Sequence, residues 1–257
     1  MKKSICIEKI FLEAPFYDRF KLVAEAGFDY AEFWTWEDKD LDKIHGLLKE
    51  YRLTLASISG DKSFSPILSE EREPYLAYLA RSIQVARRLE CRHLVLHSNG
   101  IEKGKVTSNG AGTSDAKKIA SLTRTLGEAA RMAETAGVVL VLEAINSYSM
   151  PGYFLNSTVV AGDIVRVIGS PALKILYDTW HMGQMEGNMV RHLTEYRDVL
   201  GYIHIGDVPD RHEPGTGEIN FDAIKRTLQA IGYDGIFGFE LVPSESSVAC
   251  CEILQRF

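Results

Sequence analysis

A closed barrel of eight parallel strands, each followed by a helix, is the fold class that this sequence predicts, and three observations predict it. Short apolar runs alternate with stretches of helical spacing eight times along the chain, which is the mark of a parallel sheet covered by helices. Eight such units in 257 residues agree with the length of a closed barrel, about 250 residues. The competing open sheet ordinarily carries a glycine-rich phosphate loop after its first strand. Here the segment after Ile7 is Glu8-Lys9-Ile10-Phe11-Leu12-Glu13, with no glycine. One α/β domain, a (β/α)8 barrel spanning residues 1–257, is expected.

The elements follow in order. Ser4 to Glu8 is the first strand, and a helical stretch from about Pro15 to Ala26 stops at Gly27, a residue suited to a helix C-terminus. Tyr30 to Trp34 is the second strand, Leu41 to Tyr51 a helix, and Leu53 to Ile58 the third strand. Glu70 to Leu89 is a long helix with Leu76, Leu79, Ile83 and Ala86 on one face. His93 to His97 gives the fourth strand, Asp115 to Ala136 its helix, and Val138 to Glu143 the fifth strand. The helix from Ser157 to Ile168, capped by Asn156 or Ser157, precedes the sixth strand, Ala172 to Asp178. Met185 to Val199 reads as a helix, Tyr202 to Ile205 as the seventh strand, and Phe221 to Ile231 as the next helix. Ile236 to Glu240 is the eighth strand and Ser244 to Phe257 the last helix. The long segment from Ser98 to Ser114 lacks apolar periodicity and is either a binding lid or a surface excursion.

Composition narrows the function classes. A net charge of −6 and a pI near 5.7 argue against nucleic acid as partner, since phosphate binding rests on clustered Lys and Arg. The chain has no apolar run of the roughly 20 residues that a membrane span needs, and no stretch resembling a signal-peptide core. A cytoplasmic protein is expected. Cys6, Cys91, Cys250 and Cys251 form no zinc-type spacing and read as reduced packing residues.

Four of the apolar runs end on a metal-ligating side chain: Glu143, Asp178, His204 and Glu240. In a barrel of this kind the chemistry sits at the C-terminal strand ends, and strands five to eight are neighbours in the ring. If all four side chains point inward, they meet on one divalent ion. Oxygen and imidazole ligands suit Mn²⁺ first, with Co²⁺, Mg²⁺ or Zn²⁺ as the other candidates.

Four stretches carry a resemblance: EAINSYSMPGYFLN at 143–156, YDTWHMGQMEGN at 177–188, RHEPGTGEIN at 211–220 and GYDG at 232–235. In these the chain resembles the sugar isomerase and epimerase TIM barrels related to xylose isomerase, within them the hydroxypyruvate isomerase-like branch. The resemblance implies a metal held by Glu143, Asp178, His204 and Glu240, with His181 facing the substrate oxygens. It also implies an isomerase acting on a small sugar or hydroxy-carbonyl compound, and a homo-oligomer is in keeping with that group. Two positions depart from the branch: His204 stands where glutamine is usual and histidine marks the ketose 3-epimerases, and Tyr148 stands where a basic residue is usual.

The ligand set suggests the chemistry. A divalent ion polarising a carbonyl and its neighbouring hydroxyl stabilises the enediolate formed when a proton leaves the adjacent carbon. Glu143 and Glu240 are the candidate acid and base, one taking the proton and the other returning it. His181 is placed to bind the oxygen that changes between carbonyl and hydroxyl, and Arg211 to bind a distal hydroxyl or acidic group. His97 reads either as a wall of the same mouth or as a structural histidine; Trp34, Trp36, Phe64 and Trp180 either as an apolar wall or as rim packing. Glu186, Asp207 and Glu218 are candidate partners that orient the ligands. The alternative activity is 3-epimerisation of a ketose. From other classes come a metal-dependent endonuclease on the same barrel, short of histidines at the ends of strands two and three, and a catalytically silent sugar-binding barrel.

Overall fold

The computed structural model describes residues 2–257 and contains all eight expected strands: β1 (Lys2–Cys6), β2 (Tyr30–Glu32), the pair β3 (Thr54–Leu55) and β4 (Ser57–Ser59), β5 (His93–Leu96), then, after a small hairpin of β6 (Ile101–Glu102) and β7 (Lys105–Val106), β8 (Val139–Glu143), β9 (Leu173–Asp178), β10 (Leu200–Ile205) and β11 (Ile236–Phe239). The main sheet runs β3-β2-β1-β11-β10-β9-β8-β5-β4, and its neighbours pair in parallel. Its two edge segments are halves of one strand, interrupted at Ala56. The first half pairs with β2 and the second with β5, so the ring closes. Ala56 N–H donates to the Ala31 carbonyl at 2.8 Å and Ser59 N–H to the Trp34 carbonyl at 2.9 Å, stitching the seam. The expected third strand, 53–58, is thus bent where it passes from one neighbour to the other, as the tilt and stagger of a closed barrel require.

Alternation along the strands divides the core in two. Val95, Val141, Leu176, Tyr202 and Ile236, with Ala56, form a cluster of their own inside the ring. Their intervening neighbours, such as Leu142, Ile175, Ile203 and Phe239, belong to the larger cluster between sheet and helices. Because side chains alternate with period two, Glu143 shares the parity of Val141, Asp178 that of Leu176, His204 that of Tyr202, and Glu240 that of Ile236. The barrel interior is therefore apolar at the level of these residues and polar one step above.

The outer layer comprises α1 (Arg19–Glu25), α2 (Leu41–Glu50), α3 (Arg72–Arg88), α4 (Asp115–Ala136), α5 (Thr158–Ile168), α6 (Thr179–Met185), α7 (Met189–Glu195), α8 (Phe221–Ala230) and α9 (Ser247–Arg256). Single 3₁₀ turns precede α1 and α3. Ser157 caps α5 by accepting from the Val160 N–H, and Gly137 and Gly169 close α4 and α5 in the left-handed conformation. Among the described residues, no helix is long and apolar enough to cross a membrane.

One expectation needs correction, and one open segment takes shape. Of the helix expected over Met185–Val199 only Met189–Glu195 forms one, α7, and an unexpected helix, α6, precedes it directly at the end of β9. Gly187 (φ 61°) and Asn188 (φ 44°) break the path between them, a left-handed backbone that no α-helix continues. The 98–114 segment, expected as either a binding lid or a surface excursion, carries the β6–β7 hairpin. Its hairpin turns at Lys103 and Gly104, both with positive φ, and Thr107 Oγ1 donates to the Ser63 carbonyl at 2.8 Å, tying it to the barrel rim.

Largely buried inside the ring, His93 sets its Nδ1 3.1 Å from the Ala56 carbonyl. Burial, helped by Arg92 and Lys2, pushes its imidazole from 6.5 down to about 4. The folded protein then holds fewer protons than the unfolded chain between those values, so this contribution to stability is complete above pH 6.5 and is lost as the pH falls toward 4. It amounts to on the order of 3 kcal/mol. Urea midpoints measured at pH 7 and pH 5 are expected to draw closer together in His93→Gln than in the wild type; equal separation would assign the titration elsewhere.

Candidate active site

At the C-terminal end of the ring, β8, β9 and β10 deliver Glu143, Asp178 and His204, and Glu240 follows the last residue of β11. All four are buried, and one ligand atom from each lies within 4.8 Å of the others. His204 Nδ1 is 2.9 Å from Glu240 Oε2, 3.7 Å from Glu143 Oε1 and 3.8 Å from Asp178 Oδ2. Neither ring nitrogen of His204 makes a hydrogen bond. Three carboxylates crowded in a buried site repel one another and need cations. A nitrogen without a partner facing three such oxygens is the donor set of a divalent metal, and these four residues can hold one. Among the described residues this is the one group of three or more His, Cys, Asp or Glu side chains that converges so closely.

Behind the cluster sits Glu32, which the sequence reading missed. It is 2% exposed, it places Oε1 3.2 Å from His204 Nε2, and its Oε2 accepts from the Tyr202 hydroxyl. The imidazole thus presents Nε2 to Glu32 and Nδ1 to the ligand cluster, an arrangement that holds the ring of a metal-binding histidine. Gly238 makes it sterically possible, since a Cβ there would lie 2.6 Å from Glu32 Oε1 and 2.7 Å from His204 Cδ2. Applying the period-two rule to Tyr30 would have found Glu32. The apolar Phe33 and Trp34 that follow drew attention one turn of the pleat too far.

Asp178 has two tasks. Its Oδ1 accepts from the His181 N–H at 2.9 Å and caps α6, while Oδ2 turns to the cluster and receives Arg211 Nη2 at 2.6 Å. The cap fixes where His181 stands. Its Nδ1 accepts from the Asn146 backbone N–H at 3.2 Å, so in the neutral ring the hydrogen is on Nε2. Burial, assisted by the charge of Arg211, holds the imidazole below its ordinary value, and the neutral ring therefore offers Nε2–H to the cavity as a donor.

Arg211, expected to bind a distal hydroxyl or acidic group, lines the cavity from the loop after β10. Its guanidinium is buried, lies 3.2 Å from Glu240 Oε1 and 4.6 Å from the centre of the Trp180 ring, and its Nε donates to the Glu240 carbonyl at 2.8 Å. The loop is shaped by Asp207, whose carboxylate accepts from the N–H groups of Val208, Gly215, Gly217 and Ile219. Asp207 therefore acts on Arg211 through the backbone. Glu186 orients no ligand: it accepts from Ser157 Oγ and Thr158 N–H at the start of α5. Glu218 is exposed.

A cavity of about 680 Å³ opens over the cluster, walled by Trp34, Trp180, Ile145 and Met150 and edged by Lys9, Lys62 and Lys103. His97 lines it too. Burial alone would lower that imidazole, but the carboxylates of Asp61 and Glu143 outweigh it and push it up to about 10. Trp36 and Phe64 are packing residues: Trp36 donates to Ser82 Oγ at 3.0 Å and leans on Tyr78, and Phe64 packs on the main core.

Comparison with known proteins gives the family. The family described as "Xylose isomerase-like TIM barrel" matches residues 20–250. The hydroxypyruvate isomerase of Escherichia coli (strain K12) is 30% identical over 257 residues, which cover 97% of this chain and 96% of that protein. The 2-oxo-tetronate isomerase of Haemophilus influenzae is 26% identical, with 96% of each chain covered. Among solved structures, one described as an AP endonuclease, family 2, from Brucella melitensis superposes with a TM-score of 0.88 at 26% identity, covering 100% of this chain and 98% of the other. With a sequence match over most of its length and the metal-ligand cluster at the strand ends, the chain belongs to the xylose isomerase-like TIM barrel family.

Proposed function

We propose that this isomerase-class barrel moves a proton between adjacent carbons of a small hydroxy-carbonyl compound, as in the interconversion of hydroxypyruvate and its aldehyde isomer, through an enediolate. The observation that carries the reading is the inward convergence of Glu143, Asp178, His204 and Glu240 beneath an open cavity. Relatives named for hydroxypyruvate and 2-oxo-tetronate support the substrate class. The donor set of three carboxylates and one imidazole suits Mn²⁺, Co²⁺, Mg²⁺ or Zn²⁺, and Mn²⁺ is the cation this reading takes first. A cytoplasmic setting belongs to the same reading, supported by four free, buried thiols.

Bound by these residues, a divalent cation would supply Lewis-acid polarisation of a carbonyl and its neighbouring hydroxyl. The chain provides the rest. Glu143 and Glu240, on non-adjacent strands, flank the bound carbon chain, and one carboxylate accepts the proton from carbon while a carboxylic acid returns it to the neighbouring carbon. Isomerisation also shifts a hydrogen between the two oxygens. His181 Nε2–H is placed to bond the oxygen whose charge grows as the C–H bond breaks. Arg211, pinned by Asp178 and Glu240, adds a fixed positive charge beside the same oxygens and, with Trp180, closes one wall against water.

The second reading is 3-epimerisation of a ketose. It rests on His204 and on the placement of two glutamates on either side of the cluster, since inversion at one carbon needs an acid and a base on opposite faces. An endonuclease reading has less support. The net charge is −6, and the ends of β2 and β4 offer Glu32 and Ser59 where a multi-metal centre would need histidines. Retention of both glutamates and the full ligand set argues against a silent sugar-binding barrel.

Proton exchange tests the proposal directly. Mn²⁺-loaded protein incubated in D₂O with hydroxypyruvate, tartronate semialdehyde and a set of free ketoses is expected to wash deuterium into the carbon beside the carbonyl, read by NMR. Glu143→Gln should slow this by about 10²–10⁴-fold. No exchange with any of the compounds by the metal-loaded wild type would sink the isomerase reading. A second expectation concerns the metal itself: Glu32→Leu should weaken Mn²⁺ binding by roughly tenfold to a hundredfold in titration calorimetry. An unchanged dissociation constant would show that Glu32 does not hold His204 for the metal.

A further inference from the structure

Glu143 and Glu240 are held differently. Both oxygens of Glu240 meet nitrogen groups, Oε2 at 2.9 Å from His204 Nδ1 and Oε1 at 3.2 Å from Arg211 Nη2. Glu143 turns only Oε1 to the cluster, 3.7 Å from His204 Nδ1, and sends Oε2 the other way, 3.5 Å from His97 Nε2. His97 is in turn fixed by Asp61. Its Nδ1 lies 2.7 Å from Asp61 Oδ1, and its backbone N–H donates to Asp61 Oδ2, also at 2.7 Å. Tyr75, fully buried, donates its hydroxyl to the same Oδ2 at 3.1 Å. With Nδ1 committed to Asp61, Nε2 is the one polar atom the ring has left, and it meets Glu143.

The backbone brings these two residues together on purpose-built ground. Asp61 follows the end of β4 and His97 the end of β5, neighbours in the ring. Gly60 lets the two strand ends press close, because a Cβ there would lie 2.8 Å from Leu96 Cδ2 and 3.1 Å from Leu94 Cβ. Asp61 is itself 4% exposed, and nothing in the metal cluster calls for it.

A carboxylate beside a divalent cation binds through one oxygen or through both. If Glu143 bound through both, it would keep no free oxygen for the proton that leaves carbon. We propose that the Asp61–His97 pair is a positioning device for Glu143: it holds Oε2 away from the metal cluster and toward the cavity, making this oxygen the one that receives the substrate proton. This rests on the isomerase reading above. It concerns Glu143 alone, since the oxygens of Glu240 meet their nitrogen partners at 2.9 and 3.2 Å and neither faces the Asp61–His97 pair.

The test compares His97→Leu, His97→Gln and Asp61→Asn with the wild type by two readouts, turnover of whichever compound exchanges and the visible spectrum of the Co²⁺-loaded protein. His97→Leu is expected to lower kcat by about 10²-fold with KM changed less than about threefold, the mark of an interaction lost in the transition state. Its Co²⁺ bands should weaken, because Glu143 is then free to add its second oxygen and raise the coordination number. His97→Gln, whose side-chain amide can reach Oε2, should recover part of both, and Asp61→Asn should fall between. If the apolar variant fails to fold, the Gln and Asn variants carry the same comparison. Wild-type kcat and an unaltered Co²⁺ spectrum in the His97 variants would overturn the proposal. If the wild type turns over no compound, the functional reading fails and the spectrum alone decides: altered bands uphold the positioning of Glu143, and unaltered bands overturn it.

Discussion

The concentration of negative charge at the mouth of the barrel is the constraint on which the rest of the site depends. Glu143, Asp178 and Glu240 are buried with their oxygens a few ångströms apart, and Glu32 lies directly behind them. At such separations in a medium less polar than water, each like-charge pair costs several kcal/mol. The fold compensates with groups that have no other evident reason to be inside a barrel. Arg211 is drawn from its loop into contact with Asp178 and Glu240, and the imidazole of His204 is held between Glu32 and the three ligand carboxylates. Asp207 spends its whole carboxylate on backbone N–H groups so that the loop can deliver Arg211. The apolar layer of Val141, Leu176, Tyr202 and Ile236 below then excludes water from one side, which strengthens each of these interactions.

Much of this was legible in the sequence, for a definite physical reason. Strands buried on both faces are apolar throughout, so a single ionisable residue at the end of such a run stands out, and Glu143, Asp178, His204 and Glu240 are read off at once. Parity was not legible from the runs themselves, since a continuously apolar strand gives no sign of which set faces in. Glu32 stayed hidden because Phe33 and Trp34 extend its apolar run beyond the hydrogen-bonded strand, which stops at Glu32. Asp61 stayed hidden because its strand is broken at Ala56 and followed by Gly60, so the strand end could not be located. The misplaced helix has a similar origin. Asp178 was read as a ligand, and a residue that is at once a ligand and a helix cap leaves no separate cap to mark where α6 begins.

His181 and Arg211 show how a shared backbone makes separate residues act together. Asp178 Oδ1 holds the first turn of α6 and with it His181; Asp178 Oδ2 holds the guanidinium. The two donors end 3.4 Å apart, Arg211 Nη1 beside His181 Nε2. Because Asn146 supplies a hydrogen to His181 Nδ1, Nε2 is a donor in the neutral ring and cannot accept from Arg211. Two donors facing each other without an acceptor between them mark the place where an oxygen belongs. In the proposed reaction a substrate oxygen acquiring negative charge would meet that need better than a neutral carbonyl does.

The same logic bears on which reaction the barrel runs. Four buried carboxylates, Glu32 included, share the guanidinium of Arg211 and the imidazoles of His204 and His97, and a divalent cation held by the four cluster residues would add positive charge among them. A proton passed between adjacent carbons on one face needs only one mobile oxygen near a fixed cation. An inversion needs a second, on the far side. Both glutamates are held through their carbonyls, Glu240 by Arg211 Nε and Glu143 by the Tyr153 hydroxyl; their side chains differ in partner, a guanidinium beside Glu240 Oε1 and an imidazole that borders the cavity beside Glu143 Oε2. The two carboxylates thus differ in what stands beside them, and it is on that difference in partner that the proposed positioning of Glu143 rests.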